Sequence, residues 1–139
     1  MFKLVIQLAP PVVGGLEFEE ALATFLAQIG IIKERTSMEE YRSEPGFKIF
    51  YKCFTANPRK PWLIKEIAET TGVSVPTVYR VLKKLRECDI VEFVEKDGAY
   101  RIRYGDLSMA WRFLETHVTG SMENYRKSVE YLQKMIEER

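Results

Sequence analysis

The residues with the clearest chemical potential are four cations that lie close together in one short stretch of the chain. Arg80, Lys83, Lys84 and Arg86 are opposed there by a single acid, Glu87. The formal charge of the whole chain is only +1, so this basicity is local. Guanidinium and ammonium groups clustered in this way bind phosphate oxygens, which indicates a nucleic acid as the partner. The alternative interpretation is a solvated helix face that needs no partner.

The element that must position these cations is predicted as a helix over residues 74–87. Ser74 is a favoured N-cap residue, and Pro76 lies in the first turn, where its missing N–H had no hydrogen-bond partner to lose. Apolar residues recur at i, i+4 and i+7 and form a stripe for burial, which consists of Val78, Leu82 and Leu85. On helical geometry the opposite side carries a more polar set, which consists of Pro76, Thr77, Tyr79, Arg80, Lys83 and Lys84.

A second helix and a hairpin flank this basic helix in the sequence. Residues 63–71 have helical spacing, and Gly72 then permits a sharp turn. Residues 90–94 and 100–104 alternate as strands do, and the Asp-Gly pair at 97–98 between them is a strong hairpin signal. The hairpin brings further cations, which are Lys96, Arg101 and Arg103.

The order helix, helix, turn, helix and hairpin resembles the winged helix-turn-helix transcription regulators, such as the ArsR-, MarR- and PadR-like families. The segments that carry the resemblance are 64–68, 72–74, 77–85, 90–91 and 97–98. It implies that helix 74–87 lies in the DNA major groove and that the wing, 90–104, touches the DNA backbone or the minor groove. One departure is Asp89, because these families commonly have glycine there; aspartate tolerates a left-handed backbone better than most residues.

The resemblance also implies a set of DNA-contacting residues. Thr77, Tyr79, Arg80 and Lys83 would face bases or nearby phosphates. The DNA backbone would be met by Lys84, Lys96, Arg101 and Arg103. The predicted DNA-binding residues are Ser74, Pro76, Thr77, Tyr79, Arg80, Lys83, Lys84, Lys96, Arg101 and Arg103. Exposed arginines are common on strands, so a role without DNA is the alternative for the last two.

Helices on both sides of this unit are predicted to build a homodimer, as the resemblance also implies. Residues 16–35 have one apolar helical face, which suits core packing and a dimer contact equally. Gly30 is a point at which this helix could end or kink. After residue 121 apolar side chains recur at alternating intervals of three and four residues, as in a coiled-coil seam. Such a seam needs a second surface, either the helix over 16–29 or its own copy in a second subunit. The predicted dimer interface consists of Phe18, Leu22, Phe25, Leu26, Ile29, Met122, Tyr125, Val129, Leu132 and Ile136.

The rest of the chain is expected to support this arrangement. Residues 2–8 are predicted as a strand or an extended arm, and 36–44 as a loop or a short helix capped by Thr36 or Ser37. Residues 47–55 are predicted as the first helix of the DNA-binding fold, with an aromatic stripe in the core. A helix is expected to start at Asp106 or Ser108 and to end at Gly120, with Ser121 capping a separate last helix.

The fold class is therefore predicted as mostly α with a small β-hairpin wing (α+β). It is a winged helix-turn-helix with flanking N- and C-terminal dimerisation helices. The predicted organisation is an arm and helix over 1–44, the DNA-binding domain over 45–105 and C-terminal helices over 106–139. An apolar share of 46% in 139 residues is enough to bury a core.

Several classes of function are disfavoured by what the sequence lacks. Cys53 and Cys88 are far apart and His117 is the only histidine, so neither a metal site nor a cofactor is expected. We find no phosphate-binding glycine loop and no nucleophile paired with a base, and therefore expect no enzyme. No apolar run is long enough for a membrane span, which favours a cytoplasmic protein.

Two hypotheses remain. The first is a sequence-specific transcriptional regulator that binds double-stranded DNA as a homodimer. The second is a winged-helix module for protein contact, in which the basic face meets an acidic partner and specific DNA binding is absent. A small-molecule effector between the aromatic helices is left open.

Overall fold

The computed structural model describes residues 2–139, and most of the regular structure is helical. The elements in chain order are α1 (Phe18–Gln28), α2 (Met38–Ser43), α3 (Pro45–Ile49), α4 (Ile64–Thr71), α5 (Val75–Glu87), β1 (Val91–Val94), β2 (Ala99–Ile102) and α6 (Leu107–Glu137). α3 continues without a break as a π-helical stretch, Phe50–Thr55. The predicted class, mostly α with one hairpin wing, is confirmed.

The N-terminal segment has the extended-arm form of the two that were predicted, since residues 2–17 contain no strand. The arm crosses the C-terminal end of α1, where Gly30 has a φ of +80°. A Cβ atom built on this glycine would lie 2.6 Å from a methyl group of Val5, so the close approach of the arm requires glycine. α1 ends at Gln28, so the alternative in which Gly30 ends the helix before residue 35 is confirmed.

Two short helices follow α1, and the first of them, α2, starts at a side-chain cap. The hydroxyl of Ser37 accepts the backbone N–H of Glu40 at 3.2 Å, so the helix alternative with a Ser37 cap holds for α2. The predicted helix over 47–55 corresponds to α3 and its π-helical continuation. Phe47 stacks on Tyr51 there with ring centroids 5.4 Å apart, while Phe50 and Phe54 are fully buried.

The helix-turn-helix unit consists of α4, a glycine turn and α5. Gly72 adopts the left-handed conformation that ends α4, with a φ of +73°. The hydroxyl of Thr71 then accepts the N–H of Val73 at 3.2 Å, which fixes the turn. α5 starts one residue after Ser74, close to the predicted helix 74–87, and it buries Val78, Leu82 and Leu85 as the apolar stripe predicts.

The wing is a short antiparallel hairpin whose strands pair Val91 with Ile102 and Val94 with Ala99. The predicted return strand over 100–104 is wrong in its extent. Tyr104 adopts a left-handed backbone with a φ of +61°, and residues Arg103–Gly105 form a 3-10 turn. This turn lets the chain enter α6 directly from the base of the wing.

α6 is a single helix of 31 residues, so the predicted break at Gly120 and the predicted cap at Ser121 are wrong. Glycine in a helix interior costs only about 1 kcal/mol relative to alanine, which a helix of this length absorbs. Gly120 also lacks the positive φ by which glycine ends a helix. Asp106 is the N-cap, because its carboxylate accepts the N–H of Met109 at 2.9 Å. Within residues 2–139 no helix, α6 included, has the length and apolar character needed to cross a membrane.

One hydrophobic core extends across both predicted domain boundaries, at 44 and at 105. Leu26 of α1 and Ala110 of α6 belong to the same buried cluster as Ile67 of α4 and Leu85 of α5. α1 and the first turns of α6 are therefore packed against the winged-helix unit rather than joined to it by linkers. Beyond residue 121 the side chains of α6 are all exposed in the single chain.

Candidate nucleic-acid interface

The outer face of α5 presents most of the predicted DNA-binding side chains to solvent. Pro76, Arg80, Lys83 and Lys84 are exposed, and Tyr79 retains 55% of its accessible surface. This accessibility follows from the helix period, because the apolar stripe of α5 faces the core and turns the opposite side outward. A duplex can therefore reach this face without any rearrangement of the protein.

The first turn of α5 holds a chain of polar side chains. The hydroxyl of Ser74 donates to Thr77 Oγ1 at 3.0 Å. The prediction that the Ser74 side chain caps α5 is therefore wrong. Arg80 donates from Nη2 to the same Thr77 oxygen at 2.8 Å. The guanidinium is thereby held above the N-terminal turn, which is the part of such helices that meets base edges in DNA.

The cations of the α5 face are not neutralised by neighbouring acids. In the part of the chain that the structure describes, no carboxylate lies within ion-pair distance of Arg80, Lys83 or Lys84. Their charge is free to act on an anion outside the protein. An array of this kind supplies the salt-dependent part of nucleic-acid affinity.

The two arginines predicted at the wing have partners within the chain. Arg101 donates to a carboxylate oxygen of Glu92 from Nε at 3.2 Å and from Nη2 at 2.8 Å. Arg103 donates to the carbonyl of Asp89 at 2.9 Å and lies 4.3 Å from the ring centre of Phe113. Their DNA contacts remain a prediction, but Arg101 already joins the two strands of the wing, and Arg103 holds the wing against α6 and the end of α5.

Glu92 forms ion pairs with both arginines at the base of the wing. Partial burial raises its pKa, but the hydrogen bonds from Arg101 and from the N–H of Tyr104, together with the charges of Arg101 and Arg103, outweigh burial. The net effect is a pKa below the ordinary value of a glutamate. Glu92 is therefore ionised at neutral pH and draws both arginines inward.

The tip of the wing has less positive charge than the sequence prediction requires. Lys96 is exposed there, but Glu95 and Asp97 lie on either side of it and are exposed as well. The turn therefore carries a net negative charge. Lys96 stays a predicted phosphate contact, although the tip as a whole is a weaker anion site than the face of α5.

A cleft of about 510 Å³ between α5 and the wing contains a cation that the predicted site omits. Arg86 is exposed there and lies 5.6 Å from the ring centre of Phe93 and 5.7 Å from that of Tyr100. Lys83 lines the same cleft, whereas Lys84 lines a separate cleft beside the arm. The available signal was the spacing of three residues between Lys83 and Arg86, which places both on the side that faces the hairpin.

Asp89 joins the end of α5 to the wing and to α6. Its φ of +61° confirms that aspartate occupies a left-handed position here. Its carboxylate lies 3.5 Å from Arg103 Nη2 and 3.2 Å from His117 Nδ1. His117 belongs to α6, so this contact fixes α6 relative to the end of α5.

The two cysteines belong to the core rather than to the candidate interface. Cys53 and Cys88 are both buried, and burial raises the pKa of each thiol to about 11. Both are protonated at neutral pH and are poor nucleophiles. Cys53 therefore has the place of a small core hydrophobe, as its Phe-rich surroundings indicate.

The predicted dimer residues fall into two groups. Leu22, Leu26 and Ile29 are buried in the chain's own core, so their assignment to a direct dimer contact is corrected to core packing. Phe25 is half-buried against Trp111, with ring centroids 5.8 Å apart, and Phe18 is 58% exposed. The α6 set is more than half exposed at every position and consists of Met122, Tyr125, Val129, Leu132 and Ile136.

Comparison with known proteins gives a family-model match to part of this chain. Residues 59–108 match the family model described as "Sugar-specific transcriptional regulator TrmB". The matched range holds α4, α5, the hairpin and the first residues of α6, about a third of the chain. Neither curated proteins nor solved structures gave a match. The matched segment, the helix-turn-helix unit and the hairpin that follows it identify this chain as a transcriptional regulator of the winged-helix type.

Proposed function

We propose that this regulator binds specific sequences in double-stranded DNA and acts as a homodimer. The observation that carries the proposal is the outer face of α5, where Arg80, Lys83 and Lys84 are exposed and form no ion pair with a carboxylate among residues 2–139. Three unpaired cations on one helix face favour a polyanion with closely spaced charges.

The proposed recognition step inserts α5 into the major groove. Arg80 and the hydroxyl of Thr77 lie on the N-terminal turns, where side chains of a recognition helix reach base edges. A guanidinium can donate two hydrogen bonds to one guanine, which supplies sequence preference. Lys83 and Lys84 lie further along the helix and would bind phosphates. Lys96 would bind backbone phosphate near the wing, with Arg101 and Arg103 behind it.

The proposed dimer uses the exposed apolar seam of α6. Side chains such as Val129 and Leu132 are more than half exposed in the single chain, although they follow the spacing of a coiled-coil seam. Burying them in a second copy removes apolar surface from water. Two copies related by a two-fold axis would then present two recognition helices, which suits a pseudo-palindromic DNA site.

A salt titration tests the DNA-binding part. The purified protein is titrated with fluorescent mixed-sequence duplex DNA at several salt concentrations. We expect the logarithm of the affinity to fall linearly with the logarithm of salt, with a slope of roughly 0.9 per neutralised phosphate. Selection of bound sites from random duplexes then tests specificity, and we expect a two-fold symmetric consensus.

The protein-contact alternative makes the opposite predictions. In that case duplex DNA would not bind even at low salt, and the selection would return no consensus. The same titration with an acidic, DNA-free polymer such as heparin measures how much of the affinity is general attraction to charge. Equal affinity for heparin and for the selected duplex would contradict sequence-specific recognition.

A further inference from the structure

An apolar groove runs along the first half of α6, on the face that later carries the exposed seam. Trp111 and Val118 line the groove, and they lie two heptads and one heptad, respectively, before Tyr125 of the seam. Residues seven apart lie on nearly the same side of a helix. The groove and the seam are therefore one continuous apolar surface of α6.

The groove is open and its walls are apolar. It has a volume of about 740 Å³ and lies between α6, α1 and the N-terminal arm. Phe25 of α1 forms one wall with Trp111, and arm residues such as Val5 and Pro10 form the other. Val5 is 52% exposed and Ile6 is 72% exposed, so this apolar surface is uncovered in the single chain.

We propose that the last turns of α6 from a second copy of this chain occupy the groove, so that the two α6 helices pair antiparallel. The proposal rests on the homodimer of the proposed function and gives its geometry. The occupant is a second copy because the groove is continuous with a helical seam that the same chain carries at its other end.

The heptad positions of α6 match in this arrangement. Antiparallel pairing sets Met122 against Tyr125 of the partner subunit and Val118 against Val129 of the partner subunit. It also sets Trp111 against Ile136 of the partner subunit, which brings an aliphatic side chain to the floor of the groove. Glu115 is the polar exception and lies opposite Leu132 of the partner subunit, where its methylene groups can cover the leucine.

Parallel pairing uses this surface less completely. It joins only the exposed seam from Met122 to Ile136, a span of about 21 Å at 1.5 Å per residue. Trp111, Val118 and the groove would stay in water. Antiparallel pairing from Trp111 to Ile136 spans about 38 Å. A seam of two heptads is short for a coiled coil, and the groove extends it.

Disulfide cross-linking between single-cysteine additions tests the orientation. Val118→Cys and Val129→Cys proteins are oxidised separately and after mixing and subunit exchange, and the products are separated without reductant. We expect cross-linked dimers only in the mixture. Cross-links within either single sample would indicate parallel pairing and overturn the proposal, as would a monomeric mass with no cross-link. The parent protein is the control, because Cys53 and Cys88 are buried.

Tryptophan fluorescence gives a second measurement that does not depend on cysteine. Ile136 is about 38 Å from Trp111 along the same helix, so within one chain it cannot affect that side chain. We expect Ile136→Glu to red-shift the emission of Trp111, measured with Trp62→Phe as the common background. Lys134→Glu, an exposed position off the seam, should leave the emission unchanged. An unchanged emission in Ile136→Glu would overturn the proposal.

DNA binding of the parent protein separates this inference from the proposed function. Parallel cross-links together with salt-dependent DNA binding would overturn only the antiparallel geometry. Cross-links between positions 118 and 129 without any DNA binding would leave the geometry in place and overturn the DNA-binding function.

Discussion

At the scale of single residues, the cations of this chain divide by the partners they have. Arg80 and Lys83 face solvent from α5, and no acid neutralises them within residues 2–139. Arg101 and Arg103 are drawn into contacts with Glu92 and Asp89 at the base of the wing. Arg80 and Lys83 can therefore neutralise phosphate, because neither cation is already held in an ion pair with an acid of the chain.

Replacing the cations of α5 should weaken DNA binding in two distinguishable ways. Lys83→Ala removes one phosphate contact, so we expect weaker binding to all sequences and a salt slope smaller by about 1. Arg80→Ala should cost roughly 1–3 kcal/mol on the selected site and relax its sequence preference, because a bidentate base contact is lost. Fluorescence anisotropy over a salt series measures both.

The matched control for these variants is Lys134→Ala, an exposed lysine near the end of α6. Its affinity for DNA should equal that of the parent protein. If all three variants bind equally well, the outer face of α5 is not the DNA-binding surface.

Glu92 should make the stability of the protein depend on pH in the acid range. Its pKa in the folded state is lowered, so its ionised form is favoured by folding. The stabilisation is present above the pKa of a glutamate in the unfolded chain, about 4.3, and is lost as the pH falls through the lower folded pKa. We expect Glu92→Gln to be less stable than the parent at pH 7 and to show a smaller loss on acidification.

Urea unfolding between pH 3 and pH 7 (a range chosen around the glutamate value of about 4.3) measures this difference. Glu95→Gln provides the comparison, because it removes an exposed carboxylate from the turn of the same hairpin. A parallel pH dependence for Glu92→Gln and the parent would mean that Glu92 is not held by Arg101 and Tyr104.

At the scale of elements, the helices with strong local signals lie close to where the sequence predicts them. α5 occupies Val75–Glu87 against a predicted 74–87, because its stripe and its start are both encoded within a few residues. The hairpin turn at Gly98 is local as well. The predicted end of a helix at Gly120 is wrong, since a glycine ends a helix only where the backbone can turn into a left-handed residue.

Gly120→Ala should stabilise the protein. A Cβ atom on Gly120 would meet nothing within 4 Å, and the backbone there is helical. Alanine reduces the conformational freedom of the unfolded chain, so we expect a gain of about 0.4–1 kcal/mol in the free energy of unfolding. Thermal and urea unfolding of the purified variant provide the measurement.

Gly72→Ala is the opposite case on the same scale. Its φ of +73° is unfavourable for alanine, although a Cβ atom there would also meet nothing within 4 Å. We expect a loss of about 1 kcal/mol or more for this variant. Destabilisation by both substitutions would show that α6 does not continue through residue 120 in solution.

At the scale of the whole molecule, the apolar side chains fall into two groups. Most lie in a compact core, and the others are exposed along the projecting half of α6. The core includes α1, so Leu22 and Leu26 are buried, whereas Val129 and Leu132 in the last half of α6 stay more than half exposed and belong to no core cluster within residues 2–139. An apolar stripe of this length left in water favours association, because the hydrophobic free energy scales with the area removed from water.

Two charges in the α6 seam should convert the protein to monomers. Val129→Glu combined with Leu132→Glu would bury two carboxylates in the interface, and unpaired buried charges are costly. We expect sedimentation to give the dimer mass for the parent and the monomer mass for the double variant. Lys127→Glu with Lys134→Glu is the control, since both positions lie off the seam.

Circular dichroism checks that the core of the double variant is still folded. The double variant should retain the helical circular dichroism of the winged-helix unit, because Val129 and Leu132 make no contact with the core cluster. An unchanged dimer mass in the folded double variant would remove the seam from the interface.

The sequence alone determined the unit that bears the function: the spacing of α5, the glycine turn before it and the hairpin after it are encoded by neighbouring residues. Tertiary structure decided which predicted site residues are free. Glu92 reaches Arg101 across the hairpin, and Asp89 reaches His117 on a different element. It also decided that the apolar face of α1 is buried while that of α6 is open, because burial depends on which distant segments pack against a helix rather than on the helix's own period.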